Sequence, residues 1–420
     1  MTAEEGHPAM GDARWLLLLC LSRTGFALIG TAWAALIPVL QPAWGLTAGQ
    51  AGAVQSAWHA GYLVSLVVAS VLAGRWGARR TFLGMGWAAV VTALLFAAGA
   101  RDFTSAFALY GLAGLCAGGS YVPGLTLIAE RFPPARRGRA MGAYIAAASL
   151  GYALGLAGTG LLAGGLAPGG ALLLAAGGTL GGQMLAGWTL RATPNRVAAA
   201  HPPRSPRALA LSLRWLWRHR PARCSILAYS FHAWELLGLW AWLPAYLAAA
   251  LALQRGGVET LPVAGAALAA LAHLVSTAGS LLGGQASDRW GRQRVILGLA
   301  LASAFCSLLF GWLIAVPLWL LALFAVLYNL AAVGDSAIHS ATLTEVVPAR
   351  HLATAYALRS VLGFGMGALS PWLFGLVLDG AGEEPRLAWG LAWTLLGGVA
   401  LAGPWLTWRQ MRAGVGSRIQ

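Results

Sequence analysis

The chain has 420 residues, of which 58% are hydrophobic and 10% charged, and its mean hydropathy is +0.68. So much apolar sequence excludes an ordinary soluble domain. The net charge of +15 could suit a nucleic-acid binder, but every basic residue other than His is Arg and these arginines collect between apolar runs, so the charge reads as topology and nucleic acid is excluded as a partner.

Glu4, Glu5 and Asp12 precede the first apolar run where a signal peptide would carry basic residues, so no signal peptide is expected and the first helix stays in the membrane. Apolar runs follow at 15–40, 50–74, 81–99, 103–129, 140–166 and 169–190, each of a length to cross a hydrocarbon core. Segment 191–223 interrupts them with arginines and with Pro194, Pro202, Pro203 and Pro206. Within it, Arg207, Arg214 and Arg218 fall near one helix face, and Leu209, Leu213 and Leu216 on another. This reads as an interfacial helix on an anionic leaflet or as a plain topological linker. Further runs occupy 224–253, 261–286, 295–315, 317–343, 353–378 and 387–408.

The pattern predicts an all-α membrane protein of twelve transmembrane helices in two pseudo-symmetric six-helix bundles, 1–190 and 224–420, joined by a cytoplasmic linker at 191–223. With the N-terminus in the cytoplasm, that side receives Arg75, Arg79, Arg80, Arg131, Arg136, Arg137, Arg139, the linker, Arg289, Arg292, Arg294, Arg350, Arg409, Arg412 and Arg418. The other side receives Arg101, Arg255 and Arg386. This asymmetry puts both termini in the cytoplasm and the chain in the cytoplasmic (inner) membrane. Cys20, Cys116, Cys224 and Cys306 form no close pair and no metal-ligand spacing, which predicts free buried thiols.

The two halves repeat one another. GRWGARR at Gly74–Arg80 returns 214 positions later as DRWGRQR at Asp288–Arg294, Pro134 to Arg136 fall on Pro348 to Arg350, and His59 falls on His273. A duplicated hydrophobic half points to a transporter.

These residues resemble the major facilitator superfamily over nearly the whole chain. Its loop motif after the second helix of each half has the form G-x-x-x-D-R-x-G-R-[RK]. The second half matches with Gly284, Asp288, Arg289, Gly291 and Arg292 before Gln293. The first keeps Arg75, Gly77, Arg79 and Arg80 but has Ser70 and Gly74 for the Gly and Asp. The resemblance implies a gate in which Asp288 meets the N-terminal dipole of a neighbouring helix, with the eleventh segment as the expected neighbour. It also implies that segments one, four, seven and ten line a central cavity. The fifth segment has Leu156 where drug antiporters of the family carry a Pro, which counts against drug/proton antiport. Segments four to seven resemble, loosely, the branch for nitrate/nitrite, cyanate and small organic anions. The spacings Gly114 to Gly118, Gly151 to Gly155 and Gly178 to Gly182 suit close helix packing.

Charged side chains at membrane depth are costly and therefore candidates for function. They are Arg23, Glu235, Asp335 and Arg359, accompanied by His59, His232, His273 and His339. Glu235 lies near the midplane on one face with His232 and Trp242. A carboxylate cut off from water favours its protonated form, so Glu235 and His232 are proton-coupling candidates, as are Asp335 and His339 at i and i+4. Arg23 either snorkels or binds substrate; Asp335 either lines the cavity or pairs with Arg359 or Arg23. Asp335 matches Tyr121 across the repeat. His59 and His273, at matching points, suggest hydrogen bonds between helices.

Two arginines and two acids predict a cavity near neutrality. The substrate-binding candidates are Arg23, Tyr121, Trp242, Asp335 and Arg359. The expectation is a monomeric, proton-coupled symporter of a small solute, an anion by preference, with no cofactor and no metal. A multidrug or amphiphile/proton antiporter is the alternative. No nucleophile with a base specifies an enzyme, and no phosphate-binding loop specifies ATP.

Overall fold

A computed structural model of the chain describes residues 10–163, 168–197, 206–255 and 261–416. Glu4, Glu5, Pro202, Pro203 and Arg418, named above, lie outside the described residues. The helices in chain order are α1 (Asp12–Ala43), α2 (Ala48–Trp76), α3 (Ala78–Gly99), α4 (Phe103–Arg131), α5 (Pro134–Ala163), α6 (Pro168–Leu190) and α7 (Pro206–Arg218). They continue with α8 (Arg220–Arg255), α9 (Leu261–Trp290), α10 (Arg292–Leu313), α11 (Leu318–Val346), α12 (Ala349–Gly380) and α13 (Pro385–Arg412). Among the described residues, eleven helices are long and apolar enough to cross a membrane, which leaves out α6 and α7. Glycines dilute the hydropathy of α6, a helix of 23 residues that packs against α1 and α3.

Arg131 at the end of α4 pairs with Asp12 at the start of α1, Asn195 after α6 with Trp76, and Arg292 with Glu345, so the start of α1 and the α2–α3, α4–α5, α9–α10 and α11–α12 turns lie at one end, here the near face, and the α1–α2 and α3–α4 turns at the far face. The repeated RWG motif makes two of the near-face turns. Gly77 (φ +85°) ends α2 and opens α3 without a loop, and Gly291 (φ +90°) does the same between α9 and α10. Both sit in the left-handed region that only glycine enters cheaply, which explains why this glycine recurs in both copies.

Small residues bring the helices together. A Cβ at Gly114 would strike the backbone of Trp58, one at Gly151 the carbonyl of Thr24, and one at Gly182 the carbonyl of Ser22. The α4–α2, α5–α1 and α6–α1 pairs are therefore backbone to backbone, and Ser22 Oγ adds a 2.8 Å hydrogen bond to the Gly182 carbonyl. Two buried tryptophans donate across helix contacts: Trp33 Nε1 to the Ala51 carbonyl at 2.8 Å and Trp242 Nε1 to the Pro371 carbonyl at 2.9 Å.

The N-terminal and C-terminal helices meet along α2 with α12 and α5 with α9, while the last turns of α1 pack on α8. At the far face the Asp379 carboxylate accepts hydrogen bonds from Ala48 N and Gly49 N, both at 2.7 Å, and so caps α2 from across the interface. The backbones touch there, since a Cβ at Gly52 would strike the Pro371 carbonyl. Trp372 N donates to Ser56 Oγ at 3.2 Å. Nearer the middle, Tyr62 meets Phe364 at 5.4 Å between ring centroids and Tyr152 meets His273 at 6.5 Å. Among the described residues, the hydrogen bonds and ring contacts joining the two sets of helices lie between the far face and the middle.

The linker is anchored at both ends. Asn195 donates to the Trp76 carbonyl at 2.8 Å and accepts from Arg80 N at 3.1 Å. Trp215 of α7 stacks between His219 and His351, at 4.4 and 4.6 Å. Leu216 is buried, whereas Leu209, Leu213 and Trp217 of α7 are exposed.

Candidate functional site

Where the two sets of helices part, they enclose a cavity of about 310 Å³. It is walled by α1, α2, α4 and α5 on one side and by α8, α9, α11 and α12 on the other. Its volume is at the lower end for small-molecule sites.

The two cationic walls oppose each other in sequence and share one design. Arg23 of α1 is 5% exposed, donates to Ser120 Oγ at 2.5 Å, and lies 5.3 Å from the Tyr121 ring and 6.0 Å from the Tyr144 ring. Arg359 of α12 donates to Ser340 Oγ at 2.7 Å and lies 4.2 Å from the Tyr229 ring and 5.0 Å from the Tyr356 ring. Arg23 therefore turns into the middle of α4, which settles its orientation against snorkelling. Among the described residues neither arginine pairs with a carboxylate, and the Nε of each is buried without a hydrogen-bond partner. Tyrosine faces offset part of the charge through the ring quadrupole but accept no directional hydrogen bond from the guanidinium edge.

Backbone breaks position these partners. α4 tightens into a 3-10 turn at Gly118–Ser120 just before Tyr121, and α11 interrupts its α-helix at Asp335, the equivalent position in the repeat. Tyr144 OH donates to the Ser120 carbonyl, which holds that turn beside Arg23.

The acids stand elsewhere. Asp335 and Glu235 do not line the cavity; they border a second, small void of about 10 Å³ together with His339, Ser303 and Thr407. Asp335 Oδ1 is 2.9 Å from His232 Nδ1 and its Oδ2 is 3.3 Å from His339 Nε2, so Asp335 pairs with histidines and with neither Arg359 nor Arg23. Glu235 Oε1 accepts from Tyr328 OH at 3.1 Å. His232 borders both spaces and is the side chain that connects them, with Ser336 Oγ 2.9 Å from its Nε2. The expected neutral cavity is thus divided: two arginines face the large space, and two carboxylates face the small one.

Other sequence candidates fall as follows. Tyr121 lines the cavity. Trp242 is packed against Phe374 at 5.3 Å, outside the cavity lining, while Trp240 lines it. His59 bonds Gln55 in its own helix at 3.2 Å, and the ring nitrogens of His273 have no hydrogen-bond partner, so the matched histidines do not bridge helices by hydrogen bonds. In the loop motif Asp288 and Arg289 are exposed, and Arg292 Nε pairs with Glu345 Oε1 at 2.5 Å. Across the interface α9 packs along α5, while Asp288 at its near-face end is exposed. The geometry follows from the repeat: each half offers its second helix to the other half, α2 to α12 and α9 to α5. Arg75, at the near-face end of α2, is exposed. Sequence reading missed Ser120, Ser340, Tyr229 and Glu345, because a serine or tyrosine in an apolar run carries no periodic signal.

Two sets of helices, related by an internal repeat and parted around a central cavity, can be compared with known proteins. The family model described as Major Facilitator Superfamily matches residues 16–278. The chain belongs to the major facilitator superfamily. Among curated proteins no relative matches the sequence. Solved structures of similar fold include the nucleoside transporter NupG, at 17% identity and TM-score 0.74, covering 94% of this chain and 99% of that one. A bacterial homolog of the human lysosomal transporter Spinster, in an inward-facing and occupied conformation, aligns at 15% identity and TM-score 0.74 over 97% and 98% of the two chains. The peptide transporter POT in complex with sulfate aligns at 15% identity and TM-score 0.75 over 97% and 96%. This superfamily member is a multi-pass secondary transporter and not an enzyme.

Proposed function

We propose that the protein moves a small organic anion with an apolar body across the cytoplasmic membrane by proton-coupled alternating access. One observation carries the reading: the cavity contains two arginines, Arg23 and Arg359, on opposite walls, and no carboxylate. A carboxylate or similar oxyanion would engage the free guanidinium edges with paired hydrogen bonds, and Trp58, Tyr62, Tyr152, Trp240 and Phe364 would cover its apolar part. His232, Asp335, Glu235 and His339 carry the proton in this reading, because His232 touches both the cavity and the acid-lined void.

In the same reading α6 is the sixth of twelve spans, residues 1–190 and 224–420 form two bundles of six, and 191–223 is a cytoplasmic linker. The near face is cytoplasmic, which its arginines support. The contacts at the far face then make this an inward-open form, and Asp288, Arg289 and Arg75 belong to a gate that closes against α5 and α12 in the outward-open form. The complete cavity is supplied by one chain, in keeping with a monomer. The aromatic walls favour a second reading, an amphiphile exporter, in which the arginines serve packing.

Arg23→Lys and Arg359→Lys separate the two. An ammonium keeps the charge and loses the planar fork, so either change should weaken binding of the anion about 10- to 100-fold. Isothermal titration with a panel of aryl and alkyl carboxylates, beside the matching amines, measures it. Amines binding as well as carboxylates, or unchanged affinity in both variants, removes the anion assignment.

A further inference from the structure

The small void behind His232 has the makings of a metal site. His232 of α8 and Asp335 and His339 of α11 each direct a ligand atom into one cluster, all within 4.8 Å of one another. The donor set is two imidazoles and a carboxylate, which suits borderline divalent ions of the zinc, cobalt and nickel kind over the oxygen-seeking magnesium and calcium. The two His–Asp pairs stand 2.9 Å and 3.3 Å apart and the whole set within 4.8 Å, so an ion held at about 2.0–2.1 Å from each ligand needs only a small inward turn of the rings.

Two further observations point to a guest. Asp335 is 2% exposed, and among the described residues its carboxylate is held by the two histidines with no arginine beside it. A buried carboxylate is costly unless a cation or a charged donor compensates it. In addition, His232 Nε2 is engaged by Ser336 Oγ at 2.9 Å, which orients the ring with Nδ1 toward Asp335, as outer partners orient metal-bound histidines. The void of about 10 Å³ beside the cluster is atom-sized, and Glu235, Ser303 and Thr407 border it with oxygen atoms for a fourth position.

We propose that His232, Asp335 and His339 bind a divalent transition-metal ion, and that its occupancy arrests transport. The ion would tie α8 to α11, two helices of the cavity wall, and hold His232 on the acid side of the partition. Arrest rests on the transport reading above; binding does not.

The test uses the full-length, tag-free protein in detergent, titrated with cobalt(II). A saturable single site with visible bands of nitrogen and oxygen ligation is expected, absent in Asp335→Asn and in His339→Gln and retained in His219→Ala, whose histidine lies outside the cluster. Magnesium should not compete and zinc should displace the cobalt. Wild-type protein without those bands, or a spectrum unchanged in folded Asp335→Asn, overturns the metal site; the wild-type spectrum decides even if a variant fails to fold. In vesicles, micromolar zinc should stop wild-type counterflow of the anion, and removal of the zinc with a chelator should restore it. Counterflow that continues with cobalt demonstrably bound overturns the arrest, whereas loss of the anion assignment leaves the spectrum untouched.

Discussion

The Asp379 clamp makes the far-face seal quantitatively testable. Its carboxylate accepts two hydrogen bonds of 2.7 Å from Ala48 N and Gly49 N, the first free amides of α2, so it also meets the positive end of that helix. A hydrogen bond to a charged group contributes about 1.5–3 kcal/mol and the helix terminus about 0.3–1 kcal/mol. Asp379 is exposed, and solvent screening brings the sum down to roughly 2 kcal/mol. Asp379→Ala should therefore shift the balance toward far-face-open forms by about 30-fold, and Asp379→Asn, which keeps one acceptor oxygen, by about 5-fold. Spin labels at Arg101, in the α3–α4 loop, and Arg386, in the first turn of α13, both exposed, report the change as a longer distance in pulsed electron resonance. An unchanged distance distribution in Asp379→Ala would show that the backbone contact of Gly52 with Pro371 holds the seal by itself.

Gly291→Ala should lower stability by about 1–2 kcal/mol, because alanine meets its own carbonyl at positive φ. Gly77→Ala should cost more, since its Cβ would also strike the Asn195 side chain; melting temperatures in one detergent rank the two, and equal melting to wild type would refute the strain. Glu235→Gln keeps an acceptor for Tyr328 but carries no exchangeable charge, so exchange of substrate should persist while uphill accumulation driven by a pH gradient disappears. Wild-type accumulation in reconstituted vesicles would take Glu235 out of proton coupling.

Length and hydropathy make the helices legible, and the repeat makes the turns legible: Gly77 and Gly291 pair by position alone. The depth of Arg23 and Glu235 can also be read, because each residue adds about 1.5 Å along a helix axis. Direction around the axis cannot. Helices buried in protein on one side and lipid on the other are apolar all round, so no polar stripe indicates which neighbour a side chain faces. Hence depth alone assigns Glu235 and Asp335 to the same space as the arginines, whereas they stand behind His232. Trp242 and Trp240 illustrate the same loss, two residues apart, one packed on Phe374 and one on the cavity.

The matched interruptions of α4 before Tyr121 and of α11 at Asp335 bear on how such a molecule can move. An unbroken helix resists bending along its whole length, but a helix already missing part of its hydrogen-bond ladder yields at that point. The near-face ends, Val122–Arg131 and Ser336–Val346, are thus short levers hinged at the level of the cavity. They can swing while the far-face portions stay clamped, so one mouth can close around a bound solute before the other loosens. In the alternating-access reading proposed above, such a hinge supplies an occluded stop between the two open forms.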